Sequence, residues 1–165
     1  MFYIRTAQTE NKKTFYDQVN QYLEGLIEGE PDWLANISNA AALLYTLMPD
    51  INWSGFYFYK GEELVLGPFQ GKPACIRISL NRGVCGAAAR ERKVQLVGDV
   101  HAFPGHIACD EASQSEIVLP IISGDRLIGV LDIDSPVKGR FDEEDQAGLE
   151  AFVNILNQQI HWPEF

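Results

Sequence analysis

Basic residues are scarce in this chain. It has 13 Lys and Arg against 23 Asp and Glu, for a formal net charge of -10. A nucleic-acid surface needs clustered positive charge, so no nucleic-acid partner is expected. Apolar runs are short, and none approaches the roughly 20 residues that span a bilayer. The start, Met1-Phe2-Tyr3-Ile4-Arg5, lacks the charged region, long apolar stretch and small-residue cleavage site of a signal peptide. A cytoplasmic protein without a membrane partner is the expectation, in a compartment that keeps thiols reduced. Cysteine is sparse too. Cys75, Cys85 and Cys109 are an odd number without CxxC spacing, which indicates neither a disulfide framework nor a zinc ribbon. They are either buried apolar thiols or reactive ones. No repeat, low-complexity stretch or Pro/Gly/Ser linker divides the 165 residues, so 1–165 reads as one domain.

The chain does contain enough apolar material for a core: 46% hydrophobic and 11% aromatic residues. Phe15, Val19, Tyr22, Leu23, Leu26 and Ile27 recur at helical spacing over 12–29. Leu34, Ile37, Ala41, Leu44, Tyr45 and Met48 mark a second helix, closed by Pro49. Asp142 can cap a last helix with Glu143 and Glu144 in its first turn and Leu149, Phe152, Val153, Leu156 and Ile160 as its stripe. Between these the period becomes two. Strands are predicted at Asn52–Tyr59, Leu64–Phe69, Cys75–Ser79, Val94–Val97, Glu116–Ile122 and Leu127–Asp134. A short helix is predicted to open after Gly83 through the Ala-rich stretch. The class is α+β, with a mostly antiparallel sheet of about six strands flanked by helices. Asp99 to Ser115 has no periodicity, and a loop of that length in a small domain is usually functional or disordered.

Chemistry can be placed on several of these segments. Cys85 lies at the start of the short helix, where the helix dipole would lower a thiol pKa; the plainer reading packs it among Ala87, Ala88 and Ala89. Cys109 lies on the long loop in His106-Ile107-Ala108-Cys109-Asp110, a better place for a nucleophile than for an inert thiol. A metal site of His101, His106 and Cys109 lacks a standard ligand pattern. Strand alternation puts Asp132 and Asp134 on one face with Ile128 and Val130, suiting an ammonium group or a proton donor. A two-residue turn at Gly124-Asp125 would put Glu116 and Asp134 on opposite faces. If the two form one site, an odd register or a bulge is required. Trp53 and Tyr57, four apart on one strand, either pack in the core or wall a pocket for a methyl or sulfur group.

Taken in order, Asn52-Trp53-Ser54-Gly55-Phe56-Tyr57, Gln70-Gly71-Lys72-Pro73-Ala74-Cys75, Gly83-Val84-Cys85-Gly86 and the Cys109 segment resemble the free methionine-(R)-sulfoxide reductases, which are stand-alone GAF domains. Ser115-Glu116-Ile117-Val118-Leu119-Pro120 and Gly129-Val130-Leu131-Asp132-Ile133-Asp134-Ser135 continue the match, leaving residues 1–12 as an N-terminal extension. The resemblance implies a six-stranded antiparallel sheet, a homodimer and thioredoxin as electron donor. It implies Cys109 as the attacking cysteine and Cys75 as the recycling one, with Cys85 subsidiary.

That chemistry is self-consistent. A Cys109 thiolate attacks the sulfoxide sulfur, Glu116 or Asp134 supplies the proton, and the resulting sulfenic acid condenses with Cys75 to a disulfide. No metal or organic cofactor is required. Free methionine sulfoxide would set its ammonium against Asp132, Asp134 or Glu116, with Trp53 and Tyr57 around the sulfur methyl. Its carboxylate would meet backbone N–H groups at the Gly83 helix start or in the long loop. The alternatives are a non-enzymatic GAF sensor for a small ligand, or a redox switch without turnover. The absence of an output segment after the last helix argues against a sensor.

Overall fold

The computed structural model describes residues 4, 11–107 and 109–165, so most of the N-terminal extension and Ala108 lie outside the described residues. Two helices, Lys12–Ile27 (α1) and Trp33–Leu47 (α2), precede the hairpin Trp53–Lys60 (β1) and Glu63–Gly71 (β2). Arg77–Ser79 (β3), Gly83–Glu91 (α3) and Gln95–Val97 (β4) follow, then Ser115–Ser123 (β5), Arg126–Ser135 (β6) and Glu143–Gln159 (α4). The strands form one antiparallel sheet in the order β3-β2-β1-β6-β5-β4. The α+β class and the six antiparallel strands are those expected from the sequence. No helix among the described residues is long and apolar enough to cross a membrane.

Helices α1, α2 and α4 begin where a short polar side chain can take the first free N–H groups. Asn11 accepts from Thr14 N, and Asp32 from Ala35 N. Asp142 and Asp145 form a reciprocal capping box on α4. Alternation along the strands then sorts side chains onto two faces. Phe56, Phe58, Ile117, Leu119, Leu131 and Ile133 pack with α1, α2 and α4 into one core. The opposite face, with Trp53, Tyr57, Val118 and Val130, packs against α3 through Val84, Cys85, Ala88 and Ala89. This second, smaller core forms the wall of the candidate site. Tyr16, absent from the expected α1 stripe, is buried and donates its hydroxyl to Asp145 at 2.7 Å.

Two differences from the sequence reading have simple causes. The ordered strand before α3 starts at Arg77, not Cys75, because residues 72–75 form a loop over the sheet face. The second difference is Ile128. It packs in the large core, away from Val130, Asp132 and Asp134, because β6 carries a bulge there. Ser123↔Arg126 and Ile122↔Leu127 pair in one register, and Ile121↔Gly129 begins the next. One extra residue reverses the inside–outside alternation on either side of it. Gly129 then sits so close to β1 that a Cβ there would lie 2.0 Å from the Tyr57 carbonyl oxygen, so no larger residue fits.

Candidate functional site

The bulge decides which acids meet. Beyond it, Glu116 is the direct cross-strand partner of Asp134, and Val118 of Asp132. Without the extra residue Glu116 would pair with Ile133, and Asp134 would turn to the opposite face of the sheet. The odd register is therefore present, and Glu116, Asp132 and Asp134 share one sheet face. All three line a cleft together with Trp53, Tyr57 and Cys85.

The floor of this cleft is acidic. Glu116 and Asp132 are each 6% exposed, and Cys85 is 4% exposed. Burial first, then the charges of Asp132 and Asp134, push the Glu116 carboxyl well above the usual carboxylate range. Burial and the Asp132 charge raise Asp134 as well, and burial raises Asp132. Cys85 does not behave as its position at a helix start predicts. Burial, with Asp132 and Glu116 beside it, pushes its thiol well above the ordinary value, so desolvation and like charge outweigh the helix dipole. Its Sγ lies 3.9 Å from Glu116 Oε1.

Aromatic residues make the wall. Trp53 and Tyr57 stack with ring centroids 5.9 Å apart, and Phe69 stacks on the other side of Trp53 at 5.2 Å. Both wall residues have polar ends that hold the β2–β3 loop. Trp53 Nε1 donates to the Lys72 carbonyl at 3.1 Å, and the Tyr57 hydroxyl donates to the Cys75 carbonyl at 3.0 Å. The aromatic pair therefore serves both as a pocket wall and as the anchor of the cysteine-bearing loop.

Two loops form the rim, and Cys75 and Cys109 join them by a disulfide. Around it runs a polar clasp the sequence reading did not anticipate. Asn52 Nδ2 donates to Asp110 Oδ2 and Ser113 Oγ, both at 3.1 Å, and Lys72 Nζ pairs with Asp110 Oδ1 at 3.4 Å. Asp110 also accepts from the Ala112 N–H, which with these partners holds its carboxyl below the usual range. The turn-forming Asp110-Glu111-Ala112-Ser113 pattern is the one sequence signal for this clasp. On the same rim Ile107 packs against Gly83, whose φ of +68° opens α3. Arg82, at the N-cap of α3, makes no side-chain cap hydrogen bond. The helix thus presents its first N–H groups with the cleft-lining Gly83, Val84 and Cys85.

The metal grouping of His101, His106 and Cys109 is not assembled. The two imidazole centroids are 6.5 Å apart, His101 pairs with Asp99, and the Cys109 sulfur is in the disulfide. Burial, then His101, lowers the His106 pKa and favours its neutral form.

Comparison with known proteins follows the same outline. The GAF domain family matches residues 37–161. A protein named free methionine-R-sulfoxide reductase from Escherichia coli is 54% identical over 150 residues, spanning 91% of this chain and 91% of that protein. One of the same name from Saccharomyces cerevisiae is 43% identical over 164 residues, spanning 94% and 91% respectively. The X-ray structure of the free methionine-R-sulfoxide reductase of Neisseria meningitidis, in complex with its substrate, superposes with a TM-score of 0.91 at 42% identity. That alignment covers 96% of this chain and 95% of that one.

Proposed function

Since this chain belongs to the GAF domain family, and within it to the free methionine-R-sulfoxide reductases, we propose that it reduces free L-methionine-(R)-sulfoxide to methionine with Cys109 as nucleophile. The observation that carries this reading is the Cys75–Cys109 disulfide on the rim of a cleft with an acidic floor and an aromatic wall. The disulfide corresponds to the oxidised half of such a cycle.

The steps balance. The Cys109 thiolate attacks the sulfoxide sulfur and takes over its oxygen. Two electrons pass to the substrate, methionine leaves, and Cys109 becomes a sulfenic acid. The oxygen must be protonated as the S–O bond breaks, and Glu116 is the better placed acid, because Asp132 and Asp134 flank it and favour its protonated form. Asp134 is the second candidate. The Cys75 thiol then displaces water from the sulfenic acid to give the disulfide. An external dithiol, thioredoxin in this proposal, reduces that disulfide. Cys109 is exposed, which suits attack by another protein. Cys85 is subsidiary, as its burial and raised pKa suit a thiol that stays protonated. No cofactor or resident metal enters.

Recognition uses the remaining groups. Asp132 and Asp134 hold the substrate ammonium, and the N–H groups opening α3 hold its carboxylate. Trp53 and Tyr57 surround the sulfur methyl. A peptide-bound sulfoxide brings neither charge and would leave buried acids unpaired, at a cost of about 1–3 kcal/mol per group. The proposal also takes the protein as a single domain that works as a homodimer in the cytoplasm.

The test is thioredoxin-coupled NADPH oxidation with the free R epimer, the free S epimer and a peptide-bound sulfoxide, using the unaltered protein and Cys109→Ser. Turnover of the free R epimer alone, lost in the variant, is the expected result. Folded, reduced protein without turnover would overturn the reading and favour a GAF sensor.

A further inference from the structure

At the floor of the cleft three acidic groups converge, with no neutralising base beside them among the described residues. Cys85, Glu116 and Asp132 are buried, and one ligand atom from each lies within 4.8 Å of the others. Cys85 Sγ and Glu116 Oε1 are 3.9 Å apart. Zinc bonds of about 2.3 Å to sulfur and 2.0 Å to oxygen, at a tetrahedral angle, place such a pair about 3.5 Å apart. Closing that gap takes a few tenths of an ångström.

A second observation is independent of the spacing. Among the described residues Asp132 Oδ1 has no hydrogen-bond partner, although Asp132 is 6% exposed and lines the cleft. A buried carboxylate oxygen without a partner is costly and is a ready acceptor for a cation. The basic residues lining the cleft do not serve it. Lys72 is paired with Asp110 on the rim, and His106 is shifted toward its neutral form.

We propose that Cys85, Glu116 and Asp132 form a binding site for a thiophilic divalent cation such as Zn²⁺, leaving a fourth position open to the cleft. One thiolate and two carboxylates suit a borderline cation, whereas Mg²⁺ and Ca²⁺ need more oxygen ligands than converge here. Binding displaces the thiol proton and any carboxyl proton, so affinity rises with pH. The ion would also sit where the reductase reading places the substrate ammonium, so occupancy shuts substrate out. That consequence rests on the reductase reading; the binding itself does not.

The experiment uses the full chain kept as the Cys75–Cys109 disulfide, in which Cys85 is the free thiol. Co²⁺, a spectroscopic stand-in for Zn²⁺, is titrated and the thiolate-to-cobalt charge-transfer band is followed. The band should saturate at about one equivalent, disappear on adding Zn²⁺ and be absent from Cys85→Ser. For Asp132→Asn the half-saturating Co²⁺ should rise at least about tenfold. An unaltered protein without the band, a band surviving Cys85→Ser, or an unchanged Asp132→Asn titration would each overturn the proposal. Competition is then measured in the Cys75→Ser, Cys109→Ser double variant, where Cys85 is the sole thiol and substrate is not turned over. Displacement of Co²⁺ by free methionine-(R)-sulfoxide supports both readings. A band that persists leaves the metal site standing and overturns the ammonium placement.

Discussion

Glu116 and Asp134 face each other across the β5–β6 ladder because β6 carries one extra residue at Ile128. Like charges in that position repel, so the native fold favours a proton on this group of acids. A group meant to hold a proton until a leaving oxygen takes it needs such surroundings.

This makes Glu116 costly to stability. Its folded-state pKa is raised, so its contribution is fully present below the ordinary carboxylate range and is lost as pH rises through the raised value. Glu116→Gln should therefore gain stability relative to the unaltered protein between pH 4 and pH 8 while losing about 100-fold or more in kcat. Urea unfolding at the two pH values, with kinetics on the same samples, checks both. The proton-donor role fails if kcat is unchanged.

Cys75 and Cys109 should separate into two halves of one cycle. Cys75→Ser is expected to release one equivalent of methionine per protein and then stop, holding a trappable sulfenic acid at Cys109. Cys109→Ser should release none. Quantifying methionine in a single-turnover reaction distinguishes them, and continued turnover by Cys75→Ser would transfer its role to Cys85.

Tyr57→Phe keeps the aromatic wall and removes only the 3.0 Å hydrogen bond to the Cys75 carbonyl. A loss of about 1 kcal/mol in stability is expected. The loop carrying Cys75 is then less well held, so the sulfenic acid should persist longer while its formation rate changes little. Reaction with a sulfenic-acid probe over time measures this directly.

Gly83→Ala places a side chain on a residue at φ +68° and sets its Cβ 3.3 Å from Ile107. Left-handed strain of about 1–2 kcal/mol should appear in urea unfolding. Displacement of Ile107 loosens the rim, so KM should rise more than kcat falls. An unchanged KM would show that Ile107 does not close on the substrate.

Much of this molecule was readable from local signals. Asp32, Asp142 and the apolar stripes of α1, α2 and α4 specify helices, because caps and period 3.6 act over a few residues. The alternation in Phe56-Tyr57-Phe58 specifies a two-faced strand for the same reason. Trp53 and Tyr57 share a face because their four-residue separation involves no other strand. Cys85 packs with Ala88 and Ala89, the plainer of its two readings, and burial among its neighbours raises its pKa.

The sequence by itself determined the helices, the strands, the parity of most strand residues and the set of groups able to do chemistry. Tertiary structure decided which of those groups meet. The Ile128 bulge turns Asp134 toward Glu116, and the return of two loops joins Cys75 to Cys109 over 34 residues of chain. The Asn52–Asp110–Lys72 clasp likewise draws on three separate segments. Register, burial and pKa depend on residues distant in the chain, and local spacing does not encode how a bulge or a returning loop brings them together.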